Sequence, residues 1–291
     1  MIDMSYCRNC GAELPTEANF CPKCGTPTAK TEAKPTQQHQ TLKVTGKPKV
    51  VIINRAPGHI DVKAAAEGEV TVDSDLREPE DLDWSVSQEG NIVTVKCRAL
   101  VHPLRWPRYF VSGGPRADIA VSVPKETDLE LEAHLDEVTV NGIKGTITAE
   151  SSVARVIMED CEGTVMVTGK TGLIDLRDID GTVTVNSATG PVTLENVNGT
   201  VSVRNRTGPI KYTGTLSTGE NWFRTSTGPV ELTLKGTPDL TVEAYSNLGR
   251  VTCIPELIDG RYERGQYVGR IGTGKGKLIA ETQTGSITIR R

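Results

Sequence analysis

The sequence predicts an all-β protein: a β-solenoid with about 18 residues per coil, preceded by a small cysteine-rich module. Three observations support this fold class. Glycines and β-branched residues recur every nine residues in the second half of the chain, four cysteines are paired near the N-terminus, and only 4% of the residues are aromatic. The apolar residues are mostly Val, Ile and Leu, which suit strands. The 291 residues are enough for one large domain or two.

The first element is a pair of Cys-x-x-Cys motifs. Cys7 and Cys10 form one pair, Cys21 and Cys24 the other, with ten residues between them. Because each motif turns two thiolates toward one point, two motifs complete a tetrahedral shell of the kind that holds zinc. We therefore expect one structural Zn²⁺ ion, since four thiolates leave no open position for substrate. The alternatives are a redox motif, which needs no second matched pair, and disulfides, which require export.

The residues around these cysteines extend the pattern. They read Tyr6-Cys-Arg-Asn-Cys-Gly11 and Asn19-Phe-Cys-Pro-Lys-Cys-Gly25. This part, residues 5–27, resembles the short zinc-ribbon that opens many bacterial and archaeal proteins. The resemblance implies a rubredoxin-like double knuckle and implies no reaction. The predicted first domain is a zinc-ribbon over residues 1–27.

The second element is a polar segment, residues 28–48, in which Pro, Thr, Lys and Gln dominate. Such a composition is typical of a flexible linker. His39 lies in this segment, and we expect it to be solvated because the four thiolates already fill the zinc shell. The solenoid domain is then predicted over residues 49–291.

The third element is the nine-residue repeat, which runs from residue 145 to residue 212. Its first position is Gly in seven of eight units and its third position is β-branched in all eight. Alternate units differ, so each coil contains two strand-turn units, with positions 3 and 5 pointing inward and positions 2 and 4 facing water. The period slips by two residues at Leu216 and Ser217. We expect the isolated Cys97, Cys161 and Cys253 to be small core residues.

Two further segments of the strand region are Val50-Val-Ile-Ile-Asn-Arg-Ala-Pro-Gly-His-Ile-Asp-Val62 and Val121-Ser-Val-Pro-Lys125. Together with the recurring Gly-x-Val-x-Val pattern, they give residues 49–291 a resemblance to the DUF4097 family of β-strand-repeat proteins, often labelled "putative adhesins". The resemblance implies a β-strand-repeat fold, and the family's label implies surface display.

A search of the sequence for chemistry finds no catalytic constellation. His59, His102 and His134 match no metal or triad spacing. One column of the repeat carries acidic and amide residues, which we interpret as turn residues, with a calcium site and acid/base catalysis as alternatives: Asp160, Asp178 and Asn196, beside Glu162, Asp180 and Asn198. We therefore expect a protein that is not an enzyme.

Two insertions, residues 98–116 and 255–277, interleave arginines with aromatic residues. This combination favours a protein or nucleic-acid contact, and the alternative is that the aromatics cap the solenoid while the arginines are solvated. The candidate contact residues are Arg105, Trp106, Arg108, Tyr109, Arg261, Tyr262, Arg264 and Tyr267.

Composition and charge limit the functions to be considered. The net charge of −4 provides no global positive field, no apolar stretch reaches 18 residues, and no signal-peptide core is visible, so we expect a cytoplasmic protein without a membrane span. The expected function is a non-enzymatic protein-interaction platform or scaffold with an unknown protein partner. The alternatives are a regulatory nucleic-acid-binding protein and a self-assembling or adhesin-like structural protein that associates through the solenoid ends.

Overall fold

The computed structural model describes residues 5–6, 10–14, 21–24, 36–100, 114–263 and 266–291. This part of the chain is all-β, apart from one turn of 3-10 helix at Pro79–Asp81. In chain order the strands are β1 (Ser5–Tyr6), β2 (Glu13–Leu14), β3 (Thr36–Lys43), β4 (Lys49–Arg55), β5 (Ile60–Ala65), β6 (Glu69–Arg77), β7 (Leu82–Glu89), β8 (Ile92–Ala99), β9 (Arg116–Pro124), β10 (Asp128–Asn141), β11 (Lys144–Thr171), β12 (Ile174–Thr189), β13 (Val192–Thr207), β14 (Ile210–Gly214), β15 (Glu220–Thr227), β16 (Val230–Leu234), β17 (Leu240–Leu248), β18 (Val251–Ile254), β19 (Ile258–Glu263), β20 (Gln266–Ile271), β21 (Gly276–Thr284) and β22 (Ile287–Arg290).

The strands form two separate sheets. β1 and β2 pair with each other near the N-terminus, and the remaining twenty strands form one continuous hydrogen-bonded sheet. Within the described residues, no helix is long and apolar enough to cross a membrane.

The large sheet is wound into coils with two columns of strands. Column A runs through β8, β4, β15, β21 and β17, and column B through β9, β5, β14, β16, β22 and β18. The long strands β10, β11, β12 and β13 bend at the corners and contribute to both columns. Their parallel register advances by 18 residues, as in the pairing of Val165 with Val183 and of Val183 with Val201. The predicted all-β solenoid is confirmed.

The core lies between the two columns and consists of the side chains at positions 3 and 5 of the repeat. Val183 and Val185 from column A and Val192 and Leu194 from column B are at most 1% exposed. Cys161 is fully buried and pairs in register with Ile179, which in turn pairs with Val197. Burying an aliphatic side chain contributes about 1.5–3 kcal/mol, so each coil is stabilised mainly by the coils on either side of it.

The corners depend on glycine because the backbones of successive coils touch there. Gly163, Gly181 and Gly199 stack at one corner with φ between 116° and 138°. A Cβ atom placed on Gly181 would lie only 2.0 Å from the carbonyl oxygen of Gly163. Neither this conformation nor this distance is open to a residue with a side chain, so glycine is needed both for the turn and for the contact between coils.

Where the repeat gains two extra residues, a buried asparagine hydrogen-bonds the backbone groups that the insertion leaves unpaired. Between β13 and β15 the register grows to 20 residues, pairing Val203 with Phe223. Asn221 is 0% exposed; its side-chain oxygen accepts a hydrogen bond from the Val201 amide at 3.0 Å. Its Nδ2 group donates to the carbonyl oxygens of Ser217, Gly219 and Lys277. These bonds pair backbone groups at the point where the two extra residues interrupt the repeat.

The order of the coils in space differs from their order in the chain at both ends. The coil of β4 and β5 lies between that of β8 and β9 and strand β10, while the coil of β21 and β22 lies between β15/β16 and β17/β18. Antiparallel strands complete the stack. At the N-terminal end, β7 pairs with β8 in column A, while β6 pairs with β9 and β3 pairs with β6 in column B. At the C-terminal end, β20 pairs with β17 and β19 pairs with β20, which extends column A.

The prediction of a flexible linker over residues 28–48 is wrong for its second half. Residues 36–43 form strand β3, which pairs with β6 along its whole length. Its side chains are mostly exposed because β3 is the last strand of its column, so the segment has a polar composition like that of a linker. His39 is exposed, as expected for a solvated residue. Its ring also contacts Asp73, since its Nδ1 lies 2.6 Å from Asp73 Oδ1. Residues 28–35 lie outside the described part.

We predict that Gly181→Ala destabilises the solenoid by about 2 kcal/mol or more, because the new methyl group must displace backbone rather than a mobile side chain. Urea unfolding followed by circular dichroism measures the loss. Gly219→Ala is the matched control, since Gly219 has no positive φ and its nearest atom is a side-chain oxygen 3.2 Å from the added Cβ. Equal losses for the two variants would contradict the role assigned to the corner.

Candidate metal centre and partner-contact residues

The N-terminal module is organised by a two-stranded hairpin and two turns. β1 and β2 are antiparallel, with Ser5 opposite Leu14 and Tyr6 opposite Glu13. Cys10 stands in the turn between these strands, followed by Gly11 at a φ of 67°, a conformation that glycine adopts without strain. The second motif ends in a turn over residues 22–24. Cys10 and Cys24 thus stand in turns, with Cys21 directly before the second turn.

Three thiol groups converge between these turns. The Sγ atoms of Cys10, Cys21 and Cys24 all lie within 4.8 Å of one another, and the Cys10 and Cys21 sulfurs are 3.6 Å apart. A disulfide requires about 2.05 Å, whereas two thiolates on one tetrahedral zinc ion, with Zn–S bonds of about 2.3 Å, stand roughly 3.8 Å apart. The spacing therefore fits a shared metal ion. The fourth predicted ligand, Cys7, lies outside the described residues.

The chemistry of the donor set favours a structural zinc ion over a catalytic one. The three placed donors are all sulfur, which suits zinc, and Cys7 is the predicted fourth. Cys21 is only 2% exposed, while Cys10 and Cys24 stand at the surface. A module this small has little core, so its folding free energy must come largely from the metal.

The structure places some of the predicted contact residues on one hairpin. Arg261 and Tyr262 are exposed on β19, and Tyr262 pairs with Tyr267 of β20. Tyr267 is half-buried against the core, so it serves packing as well as a surface. The remaining predicted contact residues lie outside the described part of the chain: Arg105, Trp106, Arg108, Tyr109 and Arg264.

The acidic and amide column of the repeat occupies corner positions. Asp160, Asp178 and Asn196 have φ values of 53°, 51° and 55°, a conformation that Asp and Asn tolerate better than other side chains. Asn196 Nδ2 donates a hydrogen bond to Asp178 Oδ1 at 2.5 Å. These features agree with the interpretation of the column as turn residues.

Sequence reasoning missed an aromatic contact on the outer face of column A. The Arg224 guanidinium lies 5.4 Å from the ring centre of Trp222, and its Nε atom is 2.7 Å from a carboxylate oxygen of Glu281. Trp222 and Arg224 alternate with inward residues on β15, which the sequence shows. Their partner Glu281 is 57 positions further along, on β21, and nothing in the local sequence indicates that pairing.

Two known families match separate parts of the chain. The family described as "zinc-ribbon domain" matches residues 6–28, and the family described as "Toastrack DUF4097" matches residues 48–290. The chain therefore belongs to the DUF4097 family. No curated protein matches it.

Several crystal structures are similar at low sequence identity. A "putative cell adhesion protein" from Clostridium sporogenes is 11% identical, with 88% of this chain and 99% of that chain covered and a TM-score of 0.35. A "putative adhesin" from Bacteroides fragilis is 9% identical, with 88% and 96% covered and a TM-score of 0.37. A "putative lipid binding protein" from Parabacteroides distasonis is 12% identical, with 87% and 96% covered and a TM-score of 0.37.

We predict that the purified chain carries one equivalent of zinc and that Cys10→Ser lowers this content strongly, because three thiolates hold the ion less well than four. Elemental analysis after dialysis measures the content. The thermal unfolding of the solenoid should not change, since β1 and β2 share no pairing with the large sheet. Cys161→Ala is the matched control and should keep its zinc; an equal loss in that variant would contradict the assignment.

The three solenoid thiols should be unreactive in the folded protein. Burial, reinforced by Asp83, raises the pKa of Cys97 to about 12, and burial raises the pKa of Cys253 to about 11 and that of Cys161 above its ordinary value. Because the thiolate is the reactive form, a raised pKa slows alkylation at pH 8. Mass spectrometry after a short iodoacetamide pulse should find these three sites labelled only in denaturant. Rapid labelling of any of them in the native chain would contradict their placement in the core.

Proposed function

We propose that the chain is a non-enzymatic binding platform, in which a β-solenoid rod carries a zinc-folded module and presents surfaces to a protein partner in the cytoplasm. The observation that supports it most is that the recurring positions of the repeat have structural roles. Corner glycines, turn residues with positive φ and buried aliphatic side chains account for the recurring positions. The recurring residues therefore build the rod, and recognition is left to its variable surface positions and its ends.

The distribution of titratable groups supports a binding role. In the part of the chain that the structure describes, the cysteine cluster is the one group of three or more His, Cys, Asp or Glu side chains with converging ligand atoms. A recess of about 560 Å³ lies along one corner, and three of its charged lining residues, Lys47, Lys144 and Glu162, are engaged in ion pairs. Lys144 lies 3.2 Å from Glu162, and Lys47 lies 2.6 Å from Asp128. Paired surface charges of this kind are typical of a solvated face.

Charge along the rod favours a protein partner over nucleic acid. Residues 126–234 contain 16 acidic and 8 basic side chains, whereas residues 235–291 contain 6 acidic and 9 basic ones. A polyanion would be repelled by the body of the rod, and only its C-terminal end is basic. The alternation of charge along one molecule instead suits a protein partner of complementary pattern.

The proposed compartment follows from the metal site. Four cysteines that bind zinc as thiolates must stay reduced, which the cytoplasm ensures and an oxidising exterior does not. The buried solenoid cysteines are compatible with either environment, so the cysteines of the zinc module carry this part of the proposal.

We predict that the full-length tagged chain, cross-linked in its native cells, captures a defined protein that also binds it after purification. Tandem capture followed by titration calorimetry tests this, and the bound partner should be recovered with unchanged mass. The matched control is the Cys10→Ser chain, which separates contacts of the zinc module from those of the rod.

An enzyme would behave differently in the same experiment. Cleavage of a polysaccharide or protein substrate by the purified chain, lost in Asp178→Asn or Asp180→Asn, would overturn the proposal. So would the absence of any protein that is captured above background and binds again in purified form.

A further inference from the structure

We infer that the C-terminal end of the solenoid accepts an extended acidic segment of a partner protein, which pairs with strand β18. The inference rests on the proposed binding function and names the surface and the chemistry that it uses. It rests on four features of this end. The two columns end at different heights, the edge of β18 is open, two tyrosines lie beside that edge, and the neighbouring surface is basic.

The step arises because the two columns end at different heights. Column A continues past β17 through β20 and β19, while column B stops at β18. Among the described residues β18 pairs only with β22. Column A therefore extends two strands, spaced about 4.8 Å apart, beyond β18. Leu257 fills the part of the space beside this overhang that lies opposite Gly269 of β20, and the part beside Val251 and Cys253 holds no other strand among the described residues.

The hydrogen-bond pattern shows which backbone groups face this space. The Ile287 amide donates to the Arg250 carbonyl at 2.9 Å, and the Arg291 amide donates to the Ile254 carbonyl at 3.1 Å. In a parallel ladder alternate residues of a strand bond to one neighbour. The amide and carbonyl groups of Val251 and Cys253 therefore point away from β22, toward the space.

Aromatic side chains stand on the core side of the overhang. Tyr267 pairs with the fully buried Ala244, so it points inward, and Tyr262 pairs with Tyr267 and points the same way. Tyr262 is nevertheless 58% exposed, because no strand of column B lies opposite it among the described residues. An added strand that placed apolar side chains on this side would cover that ring.

The solvent side of the same edge is basic. Arg250, Arg290 and Arg291 are exposed at or next to β18 and β22, with Thr252 and Ile254 between them. Residues 235–291 are also the basic stretch of an otherwise acidic rod. A strand with acidic side chains on this side would complement these charges, so the matching segment alternates apolar and acidic residues.

A second copy of the chain fits this end less well than a peptide. At the other end column B extends beyond column A by one strand, β3, so head-to-tail stacking would leave one row of column B empty. The residues of β3 on the core side include Gln38 and Gln40, which oppose Ser74 and Val72 and would place amides in that row. Tail-to-tail pairing through β18 would bring the overhanging hairpins of both copies into the same space.

The test uses the full-length protein and two labelled ten-residue peptides, one alternating Val with Glu and one alternating Val with Lys. Fluorescence anisotropy should show that the Val-Glu peptide binds at least tenfold more tightly than the Val-Lys peptide. Val251→Pro removes an amide that faces the space while leaving the β18–β22 ladder in place, and should weaken binding at least tenfold. Circular dichroism checks that this variant folds.

A charge variant keeps the inference falsifiable if the proline variant does not fold. Arg250→Glu should reduce the preference for the acidic peptide at least fivefold, whereas Arg206→Glu, an exposed arginine on β13, should leave it unchanged. Equal binding of both peptides, or binding that survives Val251→Pro in a folded chain, overturns the inference. Self-association that Val251→Pro abolishes in sedimentation would identify a second copy as the occupant and overturn it as well.

These outcomes are separate from those of the binding function itself. If the partner captured from cells binds Val251→Pro and Arg250→Glu as well as it binds the unaltered chain, the platform stands and uses another surface. If no partner is captured while the Val-Glu peptide still binds at β18, the step is a strand-accepting edge and the proposed function fails.

Discussion

Backbone contact at the glycine corners is the constraint on which the rest of the fold depends. The parallel ladder fixes the distance between coils at about 4.8 Å. At the corner of Gly163, Gly181 and Gly199 this leaves no room for a side chain between one glycine and the carbonyl of the coil before it. The 2.0 Å between a Cβ on Gly181 and the Gly163 oxygen shows how tight the contact is. The coils from β10 to β13 turn at the same position, so their register of 18 residues and the inward direction of their aliphatic side chains follow from it.

This constraint also determines where a function can be placed. A coil whose recurring positions are taken by corner and core residues can vary only on its outer faces, and the strongest departures from the repeat occur at the ends. There the chain changes from parallel coils to antiparallel strands, with β3, β6 and β7 at one end and β19 and β20 at the other. The two ends differ in kind, since one presents glutamines on its core side and the other an open edge beside tyrosines. The zinc module adds a second element outside the solenoid sheet.

Much of the architecture could be predicted from the sequence because its causes are local. The nine-residue period reports a backbone turn, and the paired Cys-x-x-Cys motifs report a metal shell, so both are visible in short stretches of residues. Strand β3 has the composition of a linker because an edge strand buries few side chains and needs few apolar residues. The order of the coils at the ends could not be predicted, because it depends on pairings between distant segments such as β15 with β21, which leave no periodic signal. The hydrogen bonds of Asn221 at the two extra residues could not be predicted either, because one of them goes to the distant Lys277 carbonyl.

The central claim is that the solenoid leaves the edge of strand β18 open at its C-terminal end. Amide hydrogen exchange of the isolated full-length chain, resolved by NMR, tests this most directly. The account predicts the slowest exchange in β12, protection of the Thr252 and Ile254 amides that face β22, and fast exchange of the Val251 and Cys253 amides that face solvent. Equal protection of all four β18 amides would show that the edge is already paired and would contradict the account.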